Sequence, residues 1–175
     1  MRQVAEAERI RRFMTALGEA ARDEARVYLT GGASAVLQGW RSTTLDVDIE
    51  IVPDRDDLLR ALPSLKERLE INVELAAPSH FIPELPGWAE RSVFIERSGR
   101  IQFFHYDFYS QALAKIERGH WQDRADVETM LGAGIVVPPL LRQLFEAIVP
   151  ALYRYPAVDP AGFRRAVESA LAARS

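Results

Sequence analysis

Between Leu45 and Ile51 the chain alternates without a break. Leu45, Val47, Ile49 and Ile51 fall on one parity, and Asp46, Asp48 and Glu50 on the other. Successive side chains of a β-strand point to opposite faces, so this segment has one apolar face and one acidic face. A helix does not suit the pattern, because a period of two scatters apolar residues around its circumference. The segment is therefore a strand whose apolar face is covered by a core. Carboxylates along its other face, with no basic residue between them, repel one another, and that arrangement asks for a cause.

The rest of the chain supplies the partners such a strand needs. The spacing of Val4, Ile10, Phe13, Met14 and Leu17 predicts a helix over 3–23. A buried strand is expected over 27–30, broken by Gly31-Gly32, then a short helix over 33–38 that Gly39 ends. After the acidic strand, extending to Val52, a helix is predicted over 56–69 with its leucines on one side, and a strand over 71–75. Residues 78–88 are proline-rich and irregular. Strands over 92–96 and 101–108 flank Ser98-Gly99 as a hairpin. Helices follow over 111–118, 123–131, 138–153 and 160–173, the last two opened by prolines in their first turns. The expected fold class is α/β (α+β): a small mixed sheet flanked by helices, with a helical C-terminal region. An α/β domain is expected over 1–135, with a helical extension over 136–175 packed on it as one compact unit. With 175 residues, 48% of them hydrophobic, the chain has enough apolar mass for this core.

Composition removes several chemistries. There are no cysteines, which excludes disulfides, thiolate metal sites and cysteine nucleophiles. His80, His105 and His120 are scattered without zinc spacing. Neither a serine nucleophile elbow nor a lysine-bearing phosphate loop is present. The net charge of −3 shows no basic excess of the kind that marks a nucleic-acid binder. No apolar run is long enough to span a membrane, and Met1-Arg2-Gln3 opens a charged stretch rather than a secretory signal. A cytoplasmic protein with no membrane partner is expected.

Asp46 and Asp48, two apart on a strand, project from the same face and can converge on one point. Two such carboxylates would ordinarily force a proton onto one of them, and a divalent cation removes the conflict. Mg²⁺ prefers oxygen and is typically held by one or two carboxylates together with substrate phosphates. A solvated strand face is the plainer use of the same residues. Gly31-Gly32 adds weight to the first reading. It follows a strand and precedes a helix, where glycine lets backbone approach a phosphate and the helix N-terminus offers N–H donors. Ser34, in the first helical turn, can donate to the same phosphate, and Arg41 can bind phosphate or pair with the acidic strand.

The combination Thr30-Gly31-Gly32, a spacer, then Asp46-Val47-Asp48-Ile49 resembles the nucleotidyltransferase fold of the DNA polymerase beta superfamily. Thr30 stands where that family has an apolar residue, and the spacer is at the long end of its range. "GWRSTTLDVDIEI" and "ALAKIERGHWQDRADV" further resemble motifs of AbiEii-type toxins and related minimal nucleotidyltransferases. The resemblance implies a two-metal Mg²⁺ site and an NTP substrate. It also implies an acceptor such as tRNA, and an antitoxin partner. By the same resemblance Lys115 binds the nucleotide phosphates, and Asp123 or Asp126 completes the site. A small-molecule acceptor, as in antibiotic nucleotidyltransferases, and a non-catalytic binding module are the alternatives.

The superfamily usually carries a third acid on a neighbouring strand, and Glu74 is the leading candidate. It shares the polar face of the 71–75 strand, and if that strand pairs with the acidic one, Asp46, Asp48 and Glu74 surround the metals. A surface glutamate is the plainer reading. Glu50 lies further along the acidic strand, and Asp107 has no clear face, so both rank lower. Lys115, one of only two lysines, is either a solvent-facing helix residue or a compact phosphate-binding charge. Asp123 is weighed equally as a helix cap and as a site residue.

Overall fold

The structure is a computed structural model of the chain and describes residues 3–172 and 174. Met1, Arg2 and the last residue of the helix expected over 160–173 lie outside the described residues. The chain divides into two compact units, Met1–Ala77 with Ser92–Tyr106, and Pro78–Arg91 with Asp107–Ser175.

The first unit contains α1 (Ala7–Ala20), β1 (Ala25–Thr30), α2 (Gly31–Gln38), β2 (Asp46–Val52), α3 (Asp56–Arg68), β3 (Asn72–Leu75), β4 (Val93–Ser98) and β5 (Ile101–His105). Its strands form one mixed sheet in the order β3-β2-β1-β5-β4. β1 runs antiparallel to β2 and parallel to β5. β2 and β3 are parallel, joined through α3, while β4 and β5 form the expected hairpin. The alternation in β2 does what its sequence requires. Val47, Ile49 and Ile51 are buried, whereas Asp46, Asp48 and Glu50 are half-buried on the other face. The apolar face of β1, β2 and β5 packs with Ile10, Phe13, Met14 and Leu17 of α1 and with Leu58, Leu62 and Leu65 of α3. Burying each large apolar side chain contributes roughly 1.5–3 kcal/mol, so this layer fixes the sheet and, with it, the acidic face.

The second unit is helical: α4 (Trp88–Arg91), α5 (Phe108–Arg118), α6 (Trp121–Gly132), α7 (Pro138–Ile148) and α8 (Pro160–Ala172), with short 3₁₀ turns at Pro78–His80 and Val149–Arg154. Three boundaries differ from expectation for local reasons. β5 stops at His105 because Asp107 turns the chain into α5, its carboxylate accepting from the N–H groups of Tyr109 and Ser110. The helix expected to reach residue 153 leaves α geometry after Ile148, where Pro150 lacks the N–H that would continue the ladder. Gly31-Gly32, read as a break, instead forms the first turn of α2, which starts directly off β1 with Thr30 at its N-cap.

Phe103 is fully buried on the apolar face of β5. Phe103→Ala is expected to lower unfolding stability by about 3–5 kcal/mol, measured by urea denaturation. A loss under about 1 kcal/mol would mean that the sheet is not held by this layer.

Candidate active site

The pairing register decides which acids share a place. β2 lies between β1 and β3, with Asp48 opposite Thr30 on one side and Glu74 on the other. Asp46 is opposite Asn72. Residues opposed in register on neighbouring strands project from the same face of the sheet. Asp46, Asp48 and Glu74 therefore occupy one patch, and Asn72 ties it together. Its side-chain nitrogen donates to Asp46 Oδ1 and, at 3.2 Å, to Glu74 Oε1. Glu50 is one pair further along, opposite Tyr28.

Among the described residues no three His, Asp or Glu side chains stand close enough together to form a ready-made metal cage. The donor set nevertheless suits Mg²⁺. Its ligand atoms are carboxylate oxygens, and Mg²⁺ takes only one or two of them when substrate phosphates supply the rest.

The glycine pair lies against this patch. Gly31 has φ +62°, a conformation L side chains rarely adopt, and a Cβ there would be 3.0 Å from Asp48 Oδ2. A Cβ on Gly32 would collide with the Thr44 hydroxyl and lie 3.3 Å from a guanidinium nitrogen of Arg41. The first turn of α2 is thus flanked by a carboxylate at Gly31 and a cation at Gly32. Thr44 is fixed by reciprocal backbone bonds with Ala5, at 2.7 and 3.0 Å, and its hydroxyl donates to Asp46 O at 2.9 Å. The loop carrying Arg41 is therefore pinned at the start of β2.

Ser34 is placed differently from its expected role. It is completely buried, with Oγ 2.7 Å from Nδ1 of His105, which is itself 4% exposed. The Ser34 hydroxyl, expected to donate to a phosphate, thus lies in contact with the imidazole inside the unit. Burial, helped by the charge of Arg11, pulls the His105 pKa down to about 4, so the ring is neutral at physiological pH.

In the second unit Lys115, Asp123, Asp126 and Arg118 form a closed charge cluster. The Lys115 amine is 2.7 Å from Asp126 and 3.7 Å from Asp123, and all three side chains are buried. Arg118 donates twice to Asp123, at 2.8 and 2.6 Å. Burial pushes the Asp123 pKa up, but the Arg118 hydrogen bonds and charge, then Lys115, outweigh it and hold it below the ordinary value. Asp123 is not a cap, because α6 begins at Trp121 with His120 in that position. Asp107 is also spoken for: it caps α5 and accepts from Arg91 at 3.1 and 2.8 Å. It serves as an anchor in this unit and not as a third carboxylate.

Asn72 and Thr44 were missed by the sequence reading. Asn72 shares the parity of Glu74, a usable signal, but only strand pairing brings its amide to Asp46. The inward turn of Ser34 left no trace, because Ala33–Val36 is too short a run to show which side is covered.

A family model described as "Nucleotidyltransferase of unknown function (DUF6036)" matches residues 8–155 of the chain. No curated protein and no solved structure matches it significantly.

The buried imidazole gives a pH prediction. Its pKa is near 6.5 when unfolded and about 4 when folded, so the unfolded chain takes up the proton first. The His105 contribution to stability is complete above the unfolded value and is lost as pH falls from 6.5 toward 4, by up to about 3 kcal/mol. The urea midpoint of the wild type should fall across this window more steeply than that of His105→Gln. Equal slopes would sink the assignment.

Proposed function

The chain belongs to a nucleotidyltransferase family of unknown function, and from that premise we propose that it transfers a nucleoside monophosphate from an NTP to an acceptor hydroxyl, with Mg²⁺. The observation that carries this reading is the patch itself. Asp46 and Asp48 share one face of β2, Glu74 stands in register with Asp48, and the backbone of Gly31 lies against the Asp48 carboxylate.

Each residue then has a role that follows from its place. Asp46 and Asp48 hold the divalent cations. Gly31 and Gly32 bring backbone close to the β and γ phosphates, the N-terminus of α2 favours their negative charge, and Arg41 adds a cation on the Gly32 side. The acceptor oxygen forms a bond to the α-phosphorus while the bond to the pyrophosphate oxygen breaks. The hydroxyl proton passes to Glu74, and pyrophosphate leaves. Divalent cations held by Asp46 and Asp48 would supply stabilisation of the charge on the attacking and leaving oxygens. Lys115, assigned to the triphosphate by resemblance, would have to give up Asp126 to serve there. In this reading Arg41, beside Gly32, supplies the cation nearest the glycine turn, and Asp123 with Asp126 holds Lys115 in the second unit.

The acceptor is either a tRNA, as the toxin resemblance implies with an antitoxin as partner, or a small hydroxylated molecule. The net charge of −3 favours the small acceptor, since a tRNA-binding chain gains affinity from basic residues.

Isothermal titration of each NTP with Mg²⁺ is expected to show binding to wild type and none to Asp46→Ala/Asp48→Ala. Single substitutions should lower turnover by at least about 10²-fold, the scale on which lost transition-state charge stabilisation is felt. Labelled NTP incubated with total tRNA, and separately with hydroxylated small molecules, identifies the acceptor class. Failure of the wild type to bind any NTP overturns the reading.

A further inference from the structure

We propose that Asn72 is the positioning residue of the acidic patch, and that its amide sets how tightly the patch takes a divalent cation. This rests on the reading above that the patch is a cation site. The two hydrogens of one amide nitrogen serve two carboxylates on different strands, Asp46 of β2 and Glu74 of β3. Both bonds are charge-assisted, and they hold together groups that would otherwise move apart.

A neutral donor suits this position better than a charged one. An Arg or Lys at residue 72 would neutralise the patch and compete with the cation for the same oxygens. An amide steadies the carboxylates and leaves their full negative charge for a divalent ion. Asn72 is half-buried on an edge strand, and its backbone register with Asp46 fixes the reach of its side chain. Partners that orient metal ligands typically affect metal affinity by about 10–100-fold when removed.

The test uses Mn²⁺ alone, a cation that accepts the same oxygen ligands and is read directly by electron paramagnetic resonance. Asn72→Ala is expected to bind Mn²⁺ about tenfold more weakly than wild type. Asn72→Asp places a further carboxylate where the donor stood. Its Tm without cation should fall below that of wild type, and its rise on adding Mn²⁺ should be larger. General loss of structure would not produce that opposite pair of effects. Wild-type Mn²⁺ affinity in Asn72→Ala, or no enlarged Mn²⁺-dependent Tm rise in Asn72→Asp, overturns the proposal. Mn²⁺-dependent NTP binding by wild type with unchanged Mn²⁺ affinity in Asn72→Ala sinks this inference alone. Wild type that binds Mn²⁺ in an Asn72-dependent way, yet no NTP, sinks the transferase reading alone.

Discussion

Like-charge repulsion on one face of β2 is the constraint around which the first unit is organised. Asp46 and Asp48 are two residues apart on a single strand, and pairing with β3 adds Glu74 beside them. In an isolated strand these groups would splay or take up protons. They stay together because the opposite face of the same strand is locked into the core through Val47, Ile49 and Ile51. The apolar half of β2 thus stabilises a geometry that its acidic half opposes. This is a common relation between a scaffold and a site: stability is concentrated on one side so that an unfavourable arrangement persists on the other.

The glycine pair belongs to the same constraint. Gly31 follows β1 directly, and the antiparallel register that sets Thr30 opposite Asp48 also brings Gly31 to the Asp48 carboxylate. A side chain at Gly31 would need an unfavourable φ and would press on that carboxylate. Strand pairing, helix start and carboxylate position are therefore not separate features. Moving β2 by one residue relative to β1 would turn every acid into the core and carry the glycine turn away from Asp48.

How much of this could be read from the sequence follows from the range of each interaction. The β2 alternation, the mixed sheet and the hairpin were legible because periodicity two and glycine turns are local signals. Glu74 was reachable because parity within the 71–75 strand restricts its face, although pairing with β2 had to be assumed. Asn72 carries the same parity signal but no charge, so nothing singled it out before the register was known. The fates of Ser34 and Lys115 depend on His105 and Asp126, partners brought to them by folding, and side-chain type alone cannot announce those. Asp107 misled for a related reason. An Asp between aromatic residues reads equally as strand or cap, and the bonds to Tyr109, Ser110 and Arg91 decide it.

The two units handle charge in opposite ways, and the difference bears on function. In the second unit Lys115 and Arg118 are matched against Asp123 and Asp126 within hydrogen-bonding or ion-pairing distance, with Lys115 and both carboxylates buried and Arg118 exposed at the rim. Removing one member of such a set leaves an uncompensated buried charge, which is strongly destabilising. In the first unit, Asp46 and Glu74 are steadied by a neutral amide and Asp48 lies half-buried against a glycine. Asn72 steadies Asp46 and Glu74 without adding a positive charge to them. The proposed chemistry would accordingly fall on the acidic face of β2, with the loop from Arg41 to Thr44 and the first turn of α2 as its borders.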